Sequence, residues 1–324
     1  MRLAKCLRLA ALTVASTLLA MPAARAADTV QVGSVDASST SLWPLHAAIK
    51  NGYFATENIK IDLVFAQSNA SVVQQLAAGS FNIAPTAGMV DPIRAVSKGA
   101  PVALIRIVIP APPYALLAKP SIGKIEELKG KTLIIGGPKD ITRIFTERML
   151  APHGLKPGDY DYVFAGATSA RFAALKAGAV DAALLTTPFN FFAETEGYRN
   201  LGFTFDYLPK MPFAGMAVNR EWAAKNADVV RRFLDAYDKG VAWFYDPANR
   251  AAAIALQLQT SKVAKEDVEK AYAFMHDKNL FERAATVSKQ SVGSVVDALR
   301  DLGDLGPDFK IDRLLLPGIT KVVD

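Results

Sequence analysis

Small hydroxyl, amide and aromatic side chains recur in this sequence where an apolar run gives way to a polar loop and then to a helix-like segment. The places are Ser38 to Trp43, Gln67 and Ser68, Thr86 to Met89, Lys139 to Arg143, Gly166 to Ser169, and Thr186 to Phe189. At the carboxyl ends of strands in an open α/β sheet, such groups hold small ligands, because the following helix offers free N–H groups and a partial positive charge. The candidate binding residues drawn from these loops are Ser41, Trp43, Ser68, Thr86, Gly88, Thr142, Arg143, Thr187 and Phe189. Ser41, Ser68, Thr86 and Thr187 are equally suited to capping their helices, and it is the set together that favours a ligand cleft. Trp43 and Phe189 stand in expected loops, either as walls of that cleft or as staples onto the adjacent helix. Arg143 suits a carboxylate or sulfonate, whereas Asp140, three residues earlier, suits a ligand with a donor group or simply caps the helix.

The tools of covalent chemistry are sparse. Gly130-Lys131-Thr132 looks like the end of a phosphate-binding loop, but Ile125 occupies the position where the first glycine is required. Neither Gly-x-Gly-x-x-Gly nor Gly-x-Ser-x-Gly occurs, and His46, His153 and His276 lack metal-type spacing. The single cysteine, Cys6, lies at the extreme N-terminus. No catalytic group, cofactor or metal is therefore expected.

The elements that would position the candidates alternate along the chain. Strand patterns over Thr29 to Val35, Ile59 to Phe65, Phe81 to Ala84 and Val102 to Ile109 are interleaved with helix patterns ended by Gly52, Gly79 and Gly99. A second series follows Pro110-Ala111-Pro112-Pro113, with strands at Thr132 to Ile135, Tyr160 to Phe164 and Val180 to Leu185. Leu76-Ala77-Ala78-Gly79-Ser80-Phe81-Asn82-Ile83-Ala84 matches Leu175-Lys176-Ala177-Gly178-Ala179-Val180-Asp181-Ala182-Ala183, which points to two similar α/β lobes. From Asp228 onward the pattern is helical, and this region is expected to return to the first lobe. The connections near Pro112 to Ala115 and Phe213 to Val218 then form a two-stranded hinge.

Arg2, Lys5 and Arg8 precede an apolar run from Leu9 to Met21, then Pro22 and Ala24-Arg25-Ala26. This is the charged, apolar and small-x-small order of a secretion signal, with cleavage expected before Ala27, and the run is shorter than the roughly 20 residues a membrane span needs. The chain of 324 residues carries a formal charge of +6, which falls to +2 once Arg2, Lys5, Arg8 and Arg25 are removed. No basic cluster remains to bind nucleic acid. The mature chain would contain no cysteine, so stability must come from a core, for which a hydrophobic content of 51 % is ample.

Ser41-Leu42-Trp43-Pro44-Leu45 leading to Lys50-Asn51-Gly52-Tyr53-Phe54, the Ala78 to Asn82 segment, and Leu128-Lys129-Gly130-Lys131-Thr132 resemble the nitrate, sulfonate and taurine family of ABC-transporter substrate-binding proteins. The resemblance implies a two-lobed periplasmic-binding-protein fold of type II with a two-stranded hinge and a helical C-terminal region. Its expected divisions are a signal over 1–26, a first lobe over 27–112 and 218–324, and a second over 113–217. The implied partners are a small-molecule ligand and an inner-membrane ABC permease, for a monomer in the periplasm. An organic acid with an apolar or aromatic body is the expected ligand. Signalling through a membrane sensor stays open as an alternative; an enzyme like the related thiamine-pyrimidine synthases is disfavoured by the signal and by the absence of a cysteine-rich motif.

Overall fold

Ten strands form two five-stranded sheets of matching design, and strands at the sheet centres are buried on both faces. The computed structural model describes residues 26–324, so the expected signal, apart from Ala26, lies outside the described residues. The first sheet holds β1 (Asp28–Ser34), β2 (Ile59–Phe65), β3 (Ile83–Gly88) and β4 (Val102–Ile109). The second holds β5 (Tyr114–Ala118), β6 (Thr132–Ile135), β7 (Asp161–Phe164), β8 (Ala182–Thr186) and β9 (Arg199–Phe203), after which β10 (Ala214–Asn219) returns to the first. Their orders are β2-β1-β3-β10-β4 and β7-β6-β8-β5-β9. In each sheet one strand, β10 or β5, arrives from the other lobe and runs antiparallel to both of its neighbours. A short parallel pair, β11 (Thr286–Ser288) and β12 (Lys321–Val323), forms a separate sheet beside β4.

Two chain segments therefore join the lobes, 110–113 and 204–213. They are held side by side: the Thr204 hydroxyl donates to the Pro112 carbonyl at 2.8 Å, and Phe213 N–H donates to the Ile109 carbonyl at 3.0 Å. The second connection lies earlier than the sequence suggests. Residues 214–217, assigned to the second lobe and the hinge from sequence, form most of a central strand of the first lobe, because every residue of β10 is buried and the strand is paired on both edges.

The Asn and Asp of the repeated segment explain why it recurs. Asn82 accepts from Gln31 N–H at 2.8 Å, and Asp181 accepts from Thr132 N–H at 3.0 Å. Each side chain thus satisfies a backbone donor at the equivalent strand of its own lobe, β1 in the first and β6 in the second.

The C-terminal helices mostly cover the first lobe. In the helix Ala227–Tyr245, Gly240 meets Pro44 so closely that a Cβ would stand 2.2 Å from the Pro44 carbonyl oxygen. The helix Lys265–Asp277 also reaches across to the second lobe, where Phe274 stacks on Phe203 at 5.1 Å and Asp267 accepts from the Thr195 hydroxyl at 2.8 Å. Among the described residues no helix is long and apolar enough to cross a membrane.

Candidate functional site

The carboxyl ends of the two sheets face each other and enclose a cavity of about 50 Å³. A water molecule needs about 10–15 Å³ on this measure, so there is room for a group of a few heavy atoms. Ser34, Asp36 and Thr86 line it from the first lobe, Thr168, Arg171 and Thr186 from the second, Tyr114 from the start of β5 and Phe213 from the end of the second connection.

Arg171 dominates the electrostatics of this cavity. It sits on the helix Thr168–Lys176 on the same face as the core residues Phe172 and Leu175, and is 1 % exposed. Its Nε donates to the Leu184 carbonyl (2.8 Å), its Nη1 to those of Ala165 and Gly166 (2.9 Å each), and its Nη2 to the Thr168 hydroxyl (2.7 Å). Four of five N–H groups are thereby used by neutral acceptors, and among the described residues no carboxylate pairs with it. The comparison with Arg106 is informative: that residue, also fully buried, pairs with Asp238 and lies over the Tyr237 ring at 5.0 Å. A buried charge without a counter-ion is expensive, and here the cavity lies against it.

The same helix begins without a side-chain cap, since its N-cap is Ala167. Its first N–H groups and the guanidinium therefore favour negative charge at one spot. Tyr114 stands below the guanidinium, 5.7 Å from ring centroid to Cζ, and packs edge-on against Phe213 at 5.2 Å. Burial raises the pKa of the Tyr114 hydroxyl, with Arg171 opposing, so this group stays neutral and able to donate.

The lobes touch around the cavity. A Cβ on Gly166 would lie 2.4 Å from the Gln67 carbonyl oxygen. The Ser169 hydroxyl donates to Asp36 at 3.1 Å, and the hydroxyls of Thr40 and Thr187 are 2.6 Å apart.

The residues singled out in the sequence are dispersed by the fold. Thr86 lines the cavity. Thr187 bridges the lobes through Thr40, and Gly88 meets Asn69 and Ile141 at the lobe boundary. Ser68 accepts from Ser71 N–H at 3.2 Å as a helix cap, and Ser41 is buried in the turn Thr40–Leu42, capped by Ser39. Trp43 is no cleft wall: it is fully buried, donates from its indole to the Ala253 carbonyl at 2.8 Å, and packs on Phe244 and Tyr272. Phe189 packs against Phe172 in the second lobe, so Tyr114 and Phe213 supply the aromatic surface instead. Thr142 turns inward, its hydroxyl accepting from Gly136 N–H and donating to Asp140. Arg143 pairs with Glu147 at 2.7 Å and borders a separate cavity of about 260 Å³ at the lobe edge with Arg94, Lys139 and Asp304. Arg171 and Asp36 escaped the sequence reading. The available signal was an arginine at an apolar-face position of a helix, next to Phe172 and one turn before Leu175.

Two α/β lobes joined by two chain segments, each lobe giving its sheet ends to a shared cavity, define the periplasmic-binding-protein fold. The chain belongs to the NMT1/THI5-like family, whose model matches residues 39–251. No curated protein matches the sequence. Among solved structures it is similar to the alkanesulfonate-binding protein SsuA from Xanthomonas axonopodis pv. citri bound to MOPS, with a TM-score of 0.73 and 20 % identity over 91 % of this chain and 98 % of that one. It is similar also to the periplasmic nitrate-binding protein NrtA from Synechocystis PCC 6803 (TM-score 0.75, 15 % identity, 89 % and 84 % covered). The desulfurization enzyme DSZB shares the fold as well (TM-score 0.67, 14 % identity, 90 % and 97 % covered). At these identities the likeness is one of fold, and the fold serves both binding proteins and an enzyme.

Proposed function

We propose that this protein is the solute-binding component of an ABC importer, exported with cleavage before Ala27, and that it closes on a compact organic acid in the periplasm and presents it to an inner-membrane permease. The observation that carries this reading is Arg171, buried and not ion-paired among the described residues, beside an uncapped helix terminus and a cavity. The acid group completes the charge balance of the second lobe, and the hydroxyls of Thr86, Thr168 and Thr186 serve its remaining lone pairs. The small cavity favours a ligand of few heavy atoms over one with an aromatic body. The importer role draws support from the sulfonate- and nitrate-binding proteins of the same fold.

A thermal-shift panel of small carboxylates, alkanesulfonates, nitrate and neutral analogues, run on protein purified from the periplasm, tests it. A ligand that binds only the folded state adds about 2.7 kcal/mol at a hundredfold excess over its dissociation constant. The expected outcome is a rise in midpoint with one class of acid and none with its neutral amide or alcohol. Turnover of an acid without stabilisation, or stabilisation by the neutral analogues alone, contradicts the reading.

A further inference from the structure

The cavity holds a second formal charge. Asp36, in the loop after β1, faces it from the first lobe, opposite Arg171. Its Oδ1 accepts from Ser38 N–H at 2.9 Å and from the Ser38 hydroxyl at 2.6 Å, and its Oδ2 from the Ser169 hydroxyl at 3.1 Å. All three donors are neutral, and among the described residues no basic side chain pairs with Asp36. A carboxylate has about four lone-pair sites, so one remains on Oδ2, the oxygen that reaches across the cleft.

We propose that Asp36 is a specificity-determining residue, which selects acids that also carry an ammonium or other N–H donor a few bonds from the acid group and rejects plain anions of equal size. This inference rests on the organic-acid reading of the same site. Ser169 is the second residue of the helix whose N-terminus and Arg171 favour the acid group. The hydrogen bond to Ser169 therefore places the Asp36 carboxylate beside that group. A plain anion confined there meets a like charge at short range, with little water to screen it. A short zwitterion instead sets its cation between the two carboxylates and bridges the lobes. Asp140 adds further negative charge nearby, since its Oδ2 accepts from Nδ2 of the cavity residue Asn69 at 3.3 Å. The walls thus bring one guanidinium and at least one carboxylate to a space of about 50 Å³, and their charges sum to that of a net-neutral ligand with separated poles. Short amino acids and aminoalkanesulfonates have that chemistry; nitrate and simple alkanesulfonates do not.

Isothermal titration of the mature protein with matched pairs decides the matter: propionate against β-alanine, and ethanesulfonate against 2-aminoethanesulfonate. In the wild type the amino member of at least one pair is expected to bind about tenfold or more tightly than its partner. In Asp36→Asn, whose oxygen can still accept from Ser38 while its amide NH2 faces the Ser169 hydroxyl as a donor, that preference is expected to fall below about threefold. Equal or tighter binding of the plain acids by the wild type overturns the inference and leaves the organic-acid reading intact, and this comparison needs no variant to fold. A preference that survives Asp36→Asn also overturns it. If neither acids nor amino acids bind the wild type at millimolar concentration, both fall.

Discussion

The helices Asn69–Ala77 and Thr168–Lys176 occupy equivalent places in the two lobes, 99 residues apart from Leu76 to Leu175, yet they handle their N-termini in opposite ways. The first is capped by its own Ser68, and at the position equivalent to Arg171 it carries Val72, 2 % exposed in the core. The second has Ala167 for a cap and turns a buried guanidinium toward the cavity. One scaffold has therefore been used twice, once sealed for stability and once left open for charge. The loops that precede these helices even meet at equivalent residues, with Gly166 against the Gln67 carbonyl. On the proposed reading, this asymmetry puts acid recognition in the second lobe, with Asp36 reaching it from the first.

The largest effect should come from the point where the two loops touch. Gly166→Ala adds a methyl that the contact between the lobes cannot accommodate, since the Gln67 carbonyl oxygen stands 2.4 Å away. Ligand affinity should fall at least about tenfold with little change in the melting midpoint of the unliganded protein. Gln67→Ala, the equivalent change in the first lobe, keeps the carbonyl and should leave affinity within about twofold. Calorimetric titration of both variants measures the difference; unchanged affinity in Gly166→Ala would show that the lobes need not meet at this point.

A cap exchange has a smaller and more diagnostic effect. Ser68→Ala should cost about 1 kcal/mol of stability in denaturant melts, with affinity unchanged. Ala167→Ser should do the reverse, adding up to about 1 kcal/mol in the unliganded protein while weakening acid binding several-fold, because the new hydroxyl occupies a donor meant for the ligand. Should both substitutions alter stability alone, the open terminus plays no part in binding.

The smallest effect concerns two buried groups of the first lobe, His46 and Asp91. Burial depresses the His46 pKa to about 4, so in isolation it makes stability fall as pH drops from 6.5 toward 4. Asp91 runs the other way: burial, then the neighbouring Asp140, raise its pKa to about 7 against Arg94, so stability is lost as pH rises from 3.8 to about 7. Between pH 4 and 6.5 the two slopes oppose each other. Thermal melts of Asp91→Asn should expose the His46 slope, with a midpoint above wild type at pH 8 and no advantage below pH 4. A gain that is the same at every pH would mean that Asp91 is not held protonated.

Much of the scaffold could be read from the sequence because its causes are local. Apolar alternation marked the strands, glycines marked the helix ends, and the Asn82 and Asp181 side chains recur because each satisfies a strand of its own lobe. Thr86 was legible as a polar residue at a strand end. Trp43 was not, because its partners Ala253, Phe244 and Tyr272 lie some two hundred residues away and nothing near it in sequence reveals them. Arg143 looked like the anion ligand because it opens a helix, but Glu147, one turn on, is within reach and takes its charge. Arg171 resembled an ordinary helical arginine. Only tertiary packing shows that its side chain is covered and that no carboxylate reaches it.

The central claim is that a buried, unpaired guanidinium in the second lobe holds the acid group of the ligand. Calorimetric titration of the best-binding acid into wild type and Arg171→Met, with near- and far-ultraviolet circular dichroism to establish that both are folded, tests it most directly. Losing one partner of a buried charge pair costs about 2–5 kcal/mol, so the account expects affinity to fall by at least about 30-fold in Arg171→Met, while Val72→Ala binds as the wild type does. An Arg171→Met protein that is folded and binds the acid within about twofold of wild type would contradict it.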